Sequence, residues 1–170
     1  MNIVLIGFMG AGKTAVGRRL ADELQLDLLD TDELIEKTEG RTISQIFATD
    51  GEEYFRSLES EVLKTLQDYD HFVLSTGGGM VLRPENVTLL KSLGPVILLW
   101  ADPERIWHRI KHEEHRPLLE VADPEKEIVR RLAAREPFYR QAADQIVDTS
   151  KLDVDQVSEE IEKWLKSKST

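Results

Sequence analysis

Five short apolar runs, separated by segments of helical periodicity, restrict this chain to one broad architecture. They are "NIVLI" (2–6), "LDLLD" (26–30), "HFVLS" (71–75), "VILLWA" (96–101) and "QIVD" (145–148). Runs this short, bounded by turn residues, read as strands. "NIVLI" and "VILLWA" carry no polar interruption, which suits strands buried on both faces of a parallel sheet. Between the runs, apolar residues return at helical spacing. Val16, Leu20 and Leu24 form one such stripe, and "TISQIF", "GEEYFRSLESEVLKTL", Pro84 to Leu93, "DPERIWHRIKH", "EIVRRLAAREPFYRQAA" and "VDQVSEEIEKWLKS" supply the others. Strand–helix alternation predicts an α/β fold, a right-handed, doubly wound parallel sheet in three α/β/α layers. Ligand sites then fall at the carboxyl ends of the strands.

Local signals add detail. Asp50 and Glu53 have capping-box spacing. Asp102 before Pro103 reads as an N-cap with proline at the first helical position, and Gly94 then Pro95 as a helix stop. Pro137 is expected to interrupt the helix over 127–143. "EEHRPLLEVADPEKE" (113–127), polar and with two prolines, reads as a loop or a moving cover over about 110–123.

The chain's 170 residues fit one domain. It has no cysteine, so neither a disulfide framework nor a thiolate metal site is possible; this agrees with a cytoplasmic setting. The net charge of −10 repels nucleic acid and anionic membranes at long range, so an anionic ligand needs a local cluster of basic side chains. No apolar stretch approaches the ~18 residues of a membrane span, and "MNIVLIGFMG" lacks the charged start of a signal peptide.

The first run leads directly into "GFMGAGKT". Gly7-x4-Gly12-Lys13-Thr14 is the P-loop pattern, standing where it must, after a buried strand and before a helix. Backbone N–H groups of Gly10, Ala11, Gly12, Lys13, Thr14 and Ala15 would surround phosphate oxygens, reinforced by the helix N-terminus. Lys13 would reach the outer phosphates and the Thr14 hydroxyl would ligate Mg²⁺. ATP with Mg²⁺ is therefore the expected nucleotide. Ala15 stands where many such loops carry a second hydroxyl.

Other P-loop classes fit less well. A guanine-reading Asn-Lys-x-Asp is missing, since Asn2 and Asn86 are the only asparagines and neither precedes lysine. "VILLWADPE" imitates the Asp-Glu strand end of motor ATPases, but capping also accounts for Asp102. A small-molecule kinase needs a carboxylate beside the γ-phosphate to take a hydroxyl proton. "LLDTDEL" places Asp30 and Asp32 at the end of the second strand, expected beside the P-loop strand. Two residues apart in extended chain, they would point to one side. The alternative is that Thr31 or Asp32 caps the following helix.

The same motifs resemble the shikimate kinase family over nearly the whole chain. They are "GFMGAGKTAVG", "DTD", "GRTISQIFATDGEEYFRSLE", "STGGG", "RPLL" and "REPFYRQAAD", in that order. The resemblance implies a P-loop fold similar to nucleoside monophosphate kinases, with a lid near 110–123 and a shikimate-binding helical segment near 32–60. It implies transfer from ATP to the 3-hydroxyl of shikimate, by a monomer. Asp32 would bind the substrate hydroxyls and serve as base or orient the nucleophile, and Asp30 would hold a water of the Mg²⁺ shell. Arg56 and Arg135 would bind the shikimate carboxylate. Gly78 would approach the substrate through its backbone, with Gly77 and Gly79 shaping the turn. Arg116 would belong to the lid and close onto the phosphates, and Arg109 would pack on adenine.

Arginine's planar fork suits a carboxylate, in keeping with those assignments. The bland readings remain open at this level. Arg56 has Glu52 and Glu59 at ion-pair spacing, and Arg135 lies among Arg130, Arg131 and Arg140. His108, His112 and His115 lack the zinc-protease spacing and read as solvated. Trp107 and Trp164 read as packing residues. Another metabolite kinase, such as a gluconate kinase, and a non-catalytic nucleotide-binding regulator are the rival functions.

Overall fold

The computed structural model describes residues 1–113 and 121–170. Five parallel strands make one sheet: β1 Asn2–Ile6, β2 Asp27–Asp30, β3 Phe72–Ser75, β4 Val96–Trp100 and β5 Gln145–Asp148. Their spatial order is β2-β3-β1-β4-β5. The helices described are α1 Lys13–Leu24, α2 Thr31–Glu39, α3 Ile43–Asp50, α4 Glu52–Leu66, α5 Pro84–Leu93, α6 Pro103–Ile110, α7 Pro124–Ala142 and α8 Val154–Lys168.

Alternation along β1 divides the core. Val4 and Ile6 point to the face covered by α4 to α7, where Leu63, Leu90, Ile106, Ile128, Leu132 and Tyr139 pack. Ile3 and Leu5 point to the opposite face and meet Val16 and Leu20 of α1 and Val157 and Ile161 of α8. Both faces of β1 are thus apolar, which is why its sequence reads as a continuous run. A third, small core of Ile35, Ile46 and Phe55 joins α2, α3 and α4. Each such side chain contributes about 1.5–3 kcal/mol when fully buried. Trp107 and Trp164 pack against the two main cores. No described helix is long and apolar enough to cross a membrane.

Several local expectations are corrected. β3 stands between β2 and β1, so the strand ending in Asp30 is not beside the P-loop strand. Asp30 is itself the N-cap of α2, its Oδ1 accepting from Asp32 N and Glu33 N; Asp32 lies in the helix's first turn and not in extended chain. Asp50 closes α3 and pairs with Arg41 instead of capping α4, whose N-cap is Gly51 at φ 85°. Capping boxes form instead from Thr42 and Gln45 at the start of α3 and from Asp153 and Gln156 at the start of α8. Asp102 precedes α6 without a side-chain capping bond. The stretch expected as loop turns helical at Pro124, where Asp123 caps α7. α7 then runs through Pro137 without a break. Its buried side chains lie on both sides of the proline, and the ring and the carbonyl it deprives of a donor sit on the exposed side. Ile110, at the expected start of the cover, is wholly buried as the last residue of α6. Residues 114–120, including Arg116, lie outside the described residues.

Candidate active site

The loop from Gly7 to Gly12 turns at the carboxyl end of β1, the middle strand of the sheet. Gly10 and Gly12 adopt φ of 74° and 98°, a region costly for residues with a Cβ. Gly12 is the N-cap of α1 and offers no side-chain cap, so the helix's first N–H groups are left for an anion. Lys13 Nζ donates to the carbonyls of Gly7 (2.5 Å) and Phe8 (2.9 Å). Thr14 follows in the exposed first turn. Arg109, from α6, donates to Gly10 O (2.9 Å), Thr149 Oγ1 (3.2 Å) and Thr149 O (2.9 Å). It ties the P-loop to the segment after β5. Burial first, then Arg105, lowers its pKa from the usual arginine range.

β3 ends in Ser75, whose Cα register partners are Leu5 and Asp30. The triple glycine that follows therefore emerges between the P-loop and α2. Each glycine receives a different charged group. A methyl on Gly77 would lie 2.8 Å from Glu59 Oε2 and 3.1 Å from Asp32 Oδ1. On Gly78 it would lie 3.3 Å from Arg135 Nη1 and 3.7 Å from Met9 N of the P-loop. On Gly79 it would collide with Arg56, 2.5 Å from both Nη1 and Nη2. The three residues form a floor on which two carboxylates and two guanidinium groups rest beside the phosphate loop. The turn is fixed from α2 as well, through Gly77 N donating to the buried Thr31 Oγ1 (2.9 Å).

Arg56 and its neighbours on α4 do pair, but not as a surface cluster. Arg56 Nη1 donates to Glu59 Oε1 at 2.6 Å and Nη2 to Glu52 at 3.3 Å. The Arg56 side chain is 13% exposed and that of Glu59 0%. Burial pushes the Glu59 carboxyl above its ordinary range; Arg56 opposes the shift and Asp32 adds to it. Glu59 Oε2 takes no hydrogen bond from a described residue. On α7, the Arg135 guanidinium stacks over the ring of Phe8, 5.5 Å from its centroid, so the P-loop also props an arginine beside the triple glycine.

The structure thus gathers Asp30, Asp32, Arg56, Gly77, Gly78, Gly79 and Arg135 around the mouth of the P-loop. Arg109 lies on the other flank of the loop, against Gly10 and Thr149. Glu59, Thr31, Phe8 and Tyr139 also belong to the site, although sequence reasoning gave them no role in it. Glu59 was visible as the i+3 partner of Arg56, and Tyr139 as the i+4 neighbour of Arg135. No group of three or more histidine, aspartate or glutamate side chains suited to a metal occurs among the described residues.

A P-loop on the middle strand of a parallel α/β sheet, beside a pocket of arginines and a carboxylate, defines a phosphotransferase for a small anionic acceptor. The chain belongs to the shikimate kinase family: the family model described as "Shikimate kinase" matches residues 9–166. The chain is 52% identical over 165 residues to the shikimate kinase of Pelotomaculum thermopropionicum, covering 97% of this chain and 95% of that one. The solved shikimate kinase of Acinetobacter baumannii in complex with shikimate superposes with a TM-score of 0.93 at 38% identity, covering 98% of this chain and 93% of that one. Deoxyadenosine kinase from M. mycoides, with bound dATP, shares the fold alone, at 15% identity and a TM-score of 0.65 over 98% of this chain and 100% of the other.

Proposed function

We propose that residues 1–170 act as one kinase domain that moves the γ-phosphoryl group of ATP to the 3-hydroxyl of shikimate. The observation that carries this reading is the glycine floor, on which Arg56, Arg135, Asp32 and Glu59 converge beside the P-loop. The backbone N–H groups from Gly10 to Ala15 hold the phosphates. Lys13 exchanges the carbonyls of Gly7 and Phe8 for phosphate oxygens when nucleotide enters. Arg109 presents its guanidinium toward the adenine. Arg56 and Arg135 hold the acceptor carboxylate through charge-assisted bonds, while the Gly78 backbone allows close approach of the ring. Asp32 accepts or orients the hydroxyl proton as the oxygen attacks phosphorus. The role given to Arg116, closing a lid near 110–123 onto the phosphates, falls on residues outside those described.

Thr14 and Asp30 would hold Mg²⁺, the aspartate through a water. Hydroxyl and carboxylate oxygens are the hard donors this ion takes, so the donor set fits. Asp30 Oδ1 is engaged in capping α2, which leaves Oδ2 as the oxygen for such a water. When bound, the cation would supply charge neutralisation along the phosphate chain.

A gluconate-type acceptor is disfavoured by the pair of arginines on adjacent glycines, a rigid arrangement for a ring carboxylate. The reading is tested by incubating the protein with Mg·ATP and shikimate and assigning the product by phosphorus NMR. Phosphorylation at the 3-hydroxyl is expected; phosphate on another hydroxyl, or none transferred, would overturn it.

A further inference from the structure

Tyr139 lies on α7, four residues after Arg135 and on the same face of the helix. It is 1% exposed and packs in the larger core. Its hydroxyl does more than fill space. It donates to the Gly78 carbonyl at 2.5 Å, and the Arg135 guanidinium stands over the same glycine, its Nη1 3.3 Å from where a methyl on Gly78 would lie. Burial raises the phenol's pKa to about 12, with Arg135 and Arg56 acting in the opposite sense, so the group stays a donor throughout the neutral range.

The receiving peptide needs such an anchor. A bond between two glycines has no side chain at either end to restrict it, and glycine has the widest conformational range of any residue. Among the described residues, neither Gly78 N nor Gly79 N donates to a protein acceptor. The peptide is planar and trans, so fixing the Gly78 carbonyl also fixes the direction of the Gly79 N–H on its far side. Arg56 rests on Gly79 and Arg135 on Gly78, the two glycines whose shared peptide the tyrosine holds. One hydroxyl therefore fixes the backbone on which both arginines rest.

We propose that Tyr139 is a positioning residue that sets the acceptor-carboxylate site, acting through the Gly78–Gly79 peptide on which Arg135 and Arg56 rest, without touching the acceptor. The proposal rests on the reading above that Arg56 and Arg135 bind that carboxylate.

The test is Tyr139→Phe in the full chain, which keeps the ring in the core and deletes the hydroxyl. The KM for shikimate should rise about tenfold while the KM for ATP changes less than about twofold, the scale of one lost hydrogen bond confined to one substrate. The decisive comparison uses an acceptor in which the carboxylate is replaced by a hydroxymethyl group. Y139F should lose clearly less against wild type with that uncharged acceptor than with shikimate, because the placement of the arginines no longer matters. A double-mutant cycle with Arg135→Lys provides a second measurement, and strong non-additivity is expected. An unchanged shikimate KM in Y139F overturns the proposal. So does a loss of equal size for the uncharged acceptor or for ATP, which would mark a general packing defect. Absence of shikimate-dependent turnover in the wild type would overturn the underlying functional reading as well. Normal wild-type turnover with an indifferent Y139F would overturn the role of Tyr139 alone.

Discussion

The Arg56 guanidinium lies directly on the backbone of Gly79, where a single added methyl group would stand 2.5 Å from both of its terminal nitrogens. The glycine at this position has φ −100°, which any residue can adopt. Its identity is therefore a matter of space and not of backbone freedom. The same holds at Gly77 and Gly78, with different charged groups above each.

Gly79→Ala should act as a probe of Arg56 alone. The backbone tolerates alanine, and the guanidinium must move by roughly an ångström, a displacement that can cost on the order of tenfold to a hundredfold in function. The KM for shikimate should rise on that scale, with the KM for ATP and Tm little changed. Steady-state kinetics with each substrate varied, and a thermal melt, check this.

Gly77→Ala should fail differently. Its methyl would meet Glu59 Oε2 and Asp32 Oδ1, so kcat should fall more than the shikimate KM rises. Equal effects of the two alanine variants would show that the glycines do not sort the charged groups as described.

Asp32→Asn should leave nucleotide binding intact and remove most of the transfer, a fall in kcat of about 10² to 10⁴ for loss of a proton acceptor. Calorimetry with ADP, beside turnover measurements, separates the two. Transfer at the wild-type rate would remove Asp32 from the role of base.

Arg56→Ala should destabilise the fold. It leaves Glu59, which is wholly buried, without its guanidinium partner, and breaking a buried pair from one side costs about 3 kcal/mol or more. The lower end applies, because Glu52 and its end of the cluster are open to water. Adding Glu59→Gln should restore part of the loss. Urea unfolding of the single and double variants measures both steps.

The stability of the wild type should depend on pH through Glu59. Its pKa is raised in the folded state, chiefly by burial, so the folded chain holds this proton more tightly than the unfolded chain. The contribution is complete below the ordinary glutamate range and is lost as pH rises through the raised value. Glu59→Gln cannot titrate, and its stability should decline less over that interval. Parallel urea midpoints for the two proteins between pH 4.5 and 8 would contradict the assignment.

The strands were legible because both faces of the central ones are covered, which leaves continuous apolar runs such as "NIVLI". Helix starts were less so. The spacing of Asp50 and Glu53 satisfies a capping box as well as that of Thr42 and Gln45, and only the positive φ at Gly51 decides between them. Pro137 looks like a helix end in one dimension, but Leu132 before it and Tyr139 after it enter the same core and hold α7 together. Strand order lies beyond local patterns, so β3 could not be placed between Asp30 and the P-loop. The motif residues of the site were readable by resemblance, and their mutual arrangement was not. That each glycine lies under its own charged groups follows from three helices, α2, α4 and α7, meeting at the end of β3.

The central claim is that the phosphate held by the P-loop passes to shikimate. ADP production from Mg·ATP, measured with shikimate, with gluconate and with neither, tests it most directly. Rapid ADP release that depends on shikimate and is not replaced by gluconate is expected. ATP binding with no stimulation by shikimate would leave the P-loop standing and contradict the roles given to Arg56, Arg135 and the glycine floor.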